Sequence, residues 1–401
     1  MVATKNCIHF DLCGGCSSLQ SAYADSLKAK ELLLHKLFAF LIPPHSILPV
    51  IPCNPPLRGR NKMEFSFFQT QDNKKSLGFI SPTKPRQGVS IKECLLIHED
   101  AIEIVKLTRQ WWRNYPQLMA YFPPKNTGSL CTLTVRIGNA NHELMVILRT
   151  SGRQEYAVEP KIIQEWKEIL LQAPLNITSI FWEEKQSAPR VPTYYQETLL
   201  HGQRFIEQRL SLTSDANSGT FHIGPKSFFQ PQYLQAVQII EVVKNFIDAQ
   251  GSEILLDLYC GVATIGIMLA RYVKKVIGVE IIPDAVESAR KNILINQKNG
   301  CVEVYLEDVK TFCKKCEQSV PPDIIIMDPP RCGVQNKILK YILRIGAPKL
   351  IYISCNPKTQ FEECCKLVDN GYEIKKMQPV DQFPHSVHLE NIVLLERKKC
   401  L

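Results

Sequence analysis

From about residue 232 the chain alternates short apolar runs with longer stretches of helical spacing. The pattern predicts a helix over 235–248, a strand over 254–258, a glycine-containing turn, a helix over 265–272, a strand over 275–280 and a helix over 283–296. Further strands are predicted at 303–307, 323–327 and 350–354. Continuous apolar strands separated by helices indicate a parallel sheet covered on both faces, an α/β fold of Rossmann-like type.

The first half reads differently. Strand-like runs at 132–137 and 144–148 are mixed with turn residues and with helical stretches near 21–40 and 161–171, which predicts an α+β domain. The stretch 211–224, rich in Ser, Thr, Gly and Asn, marks the expected boundary, giving domains 1–215 and 216–401. The longest apolar run, near 32–42, is broken by His35 and Lys36 and stopped by Pro43 and Pro44. It falls well short of the roughly 20 residues that span a bilayer. Residues 1–9 have no apolar core of a signal peptide, so a cytoplasmic monomer without a membrane partner is expected.

With 401 residues, 45% hydrophobic and 22% charged, the chain can bury full cores in two or three domains and lies outside the composition of disordered chains. The net charge of +9 fits a polyanion partner without requiring one. Its distribution says more, because residues 51–92 hold eight basic side chains (Arg58, Arg60, Lys62, Lys74, Lys75, Lys84, Arg86, Lys92) against Glu64 and Asp72. Fifteen cysteines, unevenly placed and without a secretory signal, point to reduced thiols, metal ligation or catalysis rather than a disulfide frame.

The segment 255–266 is a strand running into a glycine turn and a helix, and Glu280 ends the next strand. Glycine lets backbone approach a ligand, and an acid at that distance accepts hydrogen bonds from ribose hydroxyls. Ala263 stands where a second glycine of the full dinucleotide fingerprint belongs, so NAD and S-adenosylmethionine both remain open. Two later strand ends bear on the choice. Asp328-Pro-Pro-Arg331 and Ser354-Cys355-Asn356-Pro357 each follow a strand, at the carboxyl edge where open parallel sheets bind ligands. Asp-Pro-Pro alone suggests an amino-methylating enzyme, but those usually carry an aromatic next, where Arg331 stands here. A single cysteine is more often a buried inert thiol. Between Ser354 and Asn356 at a sheet edge, Cys355 reads instead as a nucleophile.

Together with Phe228-Phe-Gln230 ahead of the sheet and Phe383-Pro-His-Ser-Val-His-Leu-Glu390 near the end, these motifs resemble the S-adenosylmethionine-dependent uracil-C5 RNA methyltransferases over nearly the whole chain. The resemblance implies that Gln230, Tyr259, Thr264, Glu280 and Asp328 contact the cofactor or position the uracil, that Cys355 is the nucleophile, and that Glu390 is the base. His385 and His388 are nearby substitutes for that base. Thr264 stands where many members have Asn, and Gln232 where Asn commonly follows Phe-Phe-Gln-x. A dehydrogenase would leave Ser-Cys-Asn-Pro without a purpose. A non-catalytic RNA-binding protein would leave Cys355 and Glu390 without one.

Cys7-x5-Cys13-Gly-Gly-Cys16, with Cys94 downstream, looks like the motif of the iron–sulfur branch of this family, which modifies large-subunit (23S) ribosomal RNA. That branch implies 23S ribosomal RNA over transfer RNA as the partner. Three thiolates on one tight loop plus a remote fourth suit a 4Fe–4S cluster, and zinc is the rival ion. Members often carry an oligonucleotide-binding-type barrel before these cysteines; with Cys7 so early, its absence is expected and RNA binding is assigned to the rest of the domain. Arg58 to Phe65 resembles the family's Arg-Asn-Lys segment, with Phe65, Phe67 and Phe68 placed for base stacking beside basic side chains. Trp111-Trp112 is read chiefly as core, and Cys364, Cys365 and Cys400 as incidental. A free thiol near pKa ~8.5 is mostly protonated at neutral pH, so the site is expected to lower that value or supply a base.

Overall fold

The computed structural model describes residues 7–70, 74–82, 87–187, 192–214, 216–317 and 321–398. Asp72, Lys84, Arg86 and Cys400 lie outside them. The chain forms two compact units, Met1–Gln20 with Pro55–Gln208, and Ser21–Asn54 with Arg209–Leu401. The helix at 21–40, grouped by chain order with 1–215, therefore belongs to the second unit, and the downstream boundary falls before residue 209 rather than at 215. Chain order hides this excursion because the apolar face of that helix carries no sign of which core it fills.

In chain order the elements are α1 (Tyr23–Phe38), β1 (Lys62–Gln69), β2 (Lys75–Ile80), β3 (Gly88–Ser90), α2 (Glu99–Arg113), β4 (Leu130–Gly138), β5 (Glu143–Ser151) and α3 (Pro160–Leu171). Then come β6 (Ile177–Gln186), β7 (Tyr194–Gly202), β8 (Ile206–Ser211), β9 (Ser218–Ile223), α4 (Tyr233–Ile247), β10 (Ile254–Leu258), α5 (Thr264–Leu269) and β11 (Lys275–Glu280). The chain continues with α6 (Pro283–Ile295), β12 (Val302–Leu306), α7 (Val309–Cys316), β13 (Ile324–Met327), α8 (Asn336–Ile345), β14 (Lys349–Ser354), α9 (Pro357–Asp369), β15 (Tyr372–Val380) and β16 (Glu390–Arg397).

The first unit is built on a seven-stranded sheet ordered β3-β2-β1-β4-β5-β6-β7, antiparallel except for the β5/β6 pair. Strict alternation along β1 turns Met63, Phe65 and Phe67 inward. The expected stacking role of Phe65 and Phe67 is thereby corrected: both are core residues, and Phe68 alone of the three is partly exposed. Helices α2 and α3 bring Trp111, Trp112 and Trp166 into the same core, all fully buried. Each indole N–H finds an acceptor, Ile162 O at 3.3 Å, Leu118 O at 2.9 Å and Thr108 Oγ1 at 3.1 Å respectively. That satisfaction is what allows a tryptophan to be buried completely.

The second unit holds a seven-stranded sheet ordered β12-β11-β10-β13-β14-β16-β15. The first five strands are parallel, as the apolar runs predict, and β16 and β15 join antiparallel. Reversal at β16 matters for the chemistry, since an antiparallel strand begins where its parallel neighbour ends. The segment after α1 lies along β15 through parallel bridges Ile47 to Met377 and Ile51 to Val380. Leu34, Phe38, Ile42 and Ile47 enter this unit's core beside Tyr352, Leu367 and Tyr372. Among the described residues, no helix is long and apolar enough to cross a membrane.

Candidate active site

The turn after β10 is conformationally strained. Tyr259 (φ 63°) and Ala263 (φ 61°) are left-handed without being glycine, and Gly261 (φ 55°) lies between them. Such residues cost of order 1–3 kcal/mol each and cluster where a backbone must be pre-shaped for a ligand. A Cβ placed on Gly261 would meet no atom within 4 Å, so the turn is open on that side. Glu280 closes it from β11, with Oε2 accepting the Gly261 N–H at 3.1 Å and Oε1 accepting those of Ile281 and Ile282 at 2.8 and 2.9 Å. Phe228, Gln230, Tyr259, Gly261, Thr264 and Asp328 line one cavity. Four of the five predicted cofactor residues thus converge directly, and Glu280 does so through Gly261.

Beside that cavity the nucleophile and base candidates meet. The β14/β16 register sets Ser354 opposite Asn391, which places Cys355 and Glu390 next to one another at the carboxyl edge. The two preceding turns are also tied. Asn356 Nδ2 donates to Arg331 O at 3.2 Å and to Thr359 Oγ1 at 2.8 Å, while Ser354 Oγ accepts the Asn356 N–H at 3.1 Å. The Arg331 guanidinium lies near the Cys355 thiol and favours its thiolate form. Of the two substitute bases, His385 is buried, with its ring 5.4 Å from that of Tyr23, and His388 is exposed.

Electrostatics at this edge favour protonated carboxyls. Burial pushes Asp257 up to about 8, reinforced by Asp328, and pushes Asp328 up to about 7. Glu390, 4% exposed, is raised well above the usual carboxylate range by burial and by Asp328, with Arg331 opposing. The Cys355 thiol is also raised, by burial first and Glu390 second, with Arg331 pulling the other way. Of the two expected routes to a thiolate, a lowered thiol or a supplied base, the protein's own groups do not favour the first, because they desolvate Cys355 and set a carboxyl beside it.

Asp257 gives a pH prediction. A carboxyl whose folded value lies above its unfolded one contributes stability that is complete below the unfolded value, about 4, and lost as pH rises through the folded value, about 8. The thermal midpoint of ligand-free protein is expected to fall between pH ~5 and ~8, and Asp257→Asn to flatten that slope. Identical slopes in the two proteins would refute the assignment.

In the first unit the four predicted cysteines gather. The Cys16 thiol, pushed up to about 12 by burial, also feels Cys94, Cys13 and Cys7, and Cys94 feels Cys13 and Cys7. Cys13, Cys16 and Cys94 pack at the edge of the core. Arg58 Nη1 donates to Cys94 O at 2.8 Å and to Ile97 O at 2.9 Å, and the half-buried Arg60 feels Cys94 and Cys16. Arg58 and Arg60 of the basic segment thus lie near the thiols, which sequence spacing between 58 and 94 does not disclose. A further donor set, His98, Asp100 and His142, has its ligand atoms within 4.8 Å of one another. His98 Nδ1 accepts the Asp100 N–H at 3.3 Å to cap α2, and Asp100 Oδ2 lies 2.7 Å from His142 Nε2, so the trio pins the β4–β5 turn to a helix start.

Sequence reasoning gave no role to Asp257, Arg331 or Gln382. A lone acid inside the apolar run Leu255-Leu-Asp-Leu is the one visible signal, since a buried carboxyl there has no packing purpose.

A strand-edge cavity with a backbone-holding acid on one side and a thiol, guanidinium and carboxyl on the other defines a Rossmann-type methyltransferase. Residues 193–398 match the tRNA (uracil-5-)-methyltransferase family, and the chain belongs to that family. It is an enzyme acting on RNA. An uncharacterized RNA methyltransferase of Chlamydia caviae is 66% identical over 401 residues, covering 100% of both chains. One from Clostridium tetani is 34% identical over 400 residues, covering 98% of this chain and 84% of its own. Among solved structures, the tRNA (uracil-54, C5)-methyltransferase of Pyrococcus abyssi in complex with S-adenosyl-L-homocysteine matches with a TM-score of 0.71 at 25% identity, covering 96% of this chain and 86% of its own.

Proposed function

We propose that the protein methylates uridine at C5 in RNA, using S-adenosylmethionine and a transient bond from Cys355 to C6. The convergence of Cys355, Arg331 and Glu390 beside the Tyr259–Thr264 turn is the observation that carries this reading. Gln230, Tyr259, Thr264 and Asp328 would hold the cofactor, with Glu280 fixing the turn and offering its remaining lone pairs to ribose hydroxyls. When bound, S-adenosylmethionine supplies an electrophilic methyl group. Uracil C5 is a poor nucleophile until a thiolate adds at C6 and turns the ring into an enolate. Cys355 supplies that thiolate, paired with Arg331 as it forms. After methyl transfer Glu390 takes the C5 proton, the C6–S bond breaks, and the thiolate leaves. The target must be unstacked into the crevice, since C5 and C6 are hidden in a duplex.

For the cysteine set we favour a 4Fe–4S cluster. The Arg58 and Arg60 surroundings suit the net negative charge of a four-thiolate centre. Zinc, which four thiolates also hold, is the rival ion. Protein purified without oxygen should be brown, with roughly four irons per chain. Stoichiometric zinc without iron would reverse the choice.

The cysteine motif favours 23S ribosomal RNA as substrate, while the Pyrococcus abyssi neighbour, which acts on transfer RNA, supports the second reading. Free thiols throughout the described chain suit the cytoplasm. Mapping 5-methyluridine across total RNA with and without the gene tests the function: loss of one ribosomal site supports the first reading, loss at transfer RNA the second, and no loss overturns both.

A further inference from the structure

Gln230 is fixed from behind. Gln382 Nε2 donates to Gln230 Oε1 at 2.7 Å, which turns the Gln230 amide nitrogen toward Asp328 Oδ2, 3.5 Å away. Gln382 is 1% exposed and stands in the stretch joining β15 to β16.

Three segments remote in sequence set its place. The neighbouring Asp381 carboxylate, fully buried, accepts Lys30 Nζ at 2.6 Å and the Tyr23 hydroxyl at 2.6 Å. Lys30 donates as well to Phe383 O at 3.1 Å, so one ammonium spans both sides of Gln382. Gln235 Nε2 on α4 donates to Asp381 O at 2.9 Å, and the Asp381 N–H donates to Ile51 O at 2.9 Å. The Tyr23 hydroxyl accepts the Cys53 N–H at 2.8 Å, closing the frame.

A buried ion pair is costly to desolvate, and apolar residues of like volume often fill such space as well or better; fixing one arrangement among several is its best-attested use. Here the pair fixes the backbone on either side of a single glutamine. A primary amide has two orientations that exchange donor and acceptor, and with Gln382 Nε2 donating to Gln230 Oε1 the Gln230 donor is the atom turned toward Asp328.

We propose that Gln382 is a positioning residue of the cofactor pocket, acting through Gln230, with Tyr23, Lys30 and Asp381 as its frame. The proposal rests on the reading that this pocket binds S-adenosylmethionine. It also gives the excursion of residues 21–54 into the second unit a purpose that their distance from Cys355 in sequence conceals.

The test is calorimetric titration of S-adenosylhomocysteine into full-length wild type, Gln382→Met, Gln230→Ala and the double variant. Gln382→Met is expected to weaken binding about tenfold, the scale of one oriented hydrogen bond. In the Gln230→Ala background the same change should cost nothing more, because Gln382 then has no amide to orient. Tyr23→Phe, which leaves the Lys30–Asp381 pair intact, should weaken binding a few-fold and serves if Gln382→Met does not fold. Wild-type affinity in Gln382→Met and Tyr23→Phe, or equal fold losses with and without Gln230, would overturn the proposal while leaving the cofactor reading in place. A wild type that does not bind S-adenosylhomocysteine would remove the cofactor reading and this one with it.

Discussion

Cys355→Ala is expected to reduce methylation of the target RNA below detection and to abolish covalent trapping by RNA carrying 5-fluorouridine at that position. Loss of a nucleophile costs on the order of 10⁶ in rate where it has been measured most fully, roughly 8 kcal/mol of barrier. The fluorinated base separates binding from chemistry. Addition at C6 and methylation at C5 proceed, but fluorine cannot leave as a proton, so wild-type protein stays attached. Because burial and Glu390 hold the Cys355 thiol above its ordinary value, thiolate is scarce in the free enzyme. The nearby Arg331 guanidinium pulls the other way and favours it. Fluorouridine trapping by wild type should therefore accelerate as pH rises through neutrality, since the attacking thiolate grows with pH. Measurable methylation by Cys355→Ala would exclude the covalent route, and a wild type that never forms the fluorinated adduct would do the same.

The parallel strands were legible because each is an apolar run too short for a helix, and the structure places β10, β11, β13 and β14 within a residue of the expected spans. Strands β15 and β16 were not. Lys375 and Lys376 interrupt β15 at a bulge, and a periodicity argument takes them for a loop. Yet β16 sets Glu390 beside Cys355, so while Cys355 could be read as a nucleophile from its own strand end, Glu390 as its proposed partner was legible only through the resemblance. The aromatics of β1 misled for a related reason. Phe65 and Phe67 neighbour basic residues in sequence, but alternation sends them to the opposite face. Contacts such as Lys30 to Asp381 join positions 351 residues apart, and no local rule reaches that far.

Glu390→Gln is expected to accumulate methylated RNA bound covalently to the protein. If Glu390 acts only after methyl transfer, the variant still permits attack by Cys355 and methylation at C5. The C5 proton then has no acceptor, so the C6–S bond persists and a shifted band survives denaturing electrophoresis. Turnover should fall about 100 to 10,000-fold, the usual contribution of a general base. The pH dependence follows from the carboxyl's surroundings. Burial and Asp328 raise Glu390 well above its ordinary range, and a base must be ionised to accept a proton, so wild-type product release should speed up as pH rises. In Glu390→Gln that rise should disappear while the adduct remains. Adduct formation itself depends on Cys355, so its persistence separates the two roles. Wild-type turnover in the variant would move the base to His388, the exposed histidine of the same stretch whose surroundings include Arg331. A variant that forms no adduct would place Glu390 earlier in the reaction, taking the thiol proton of Cys355 before attack.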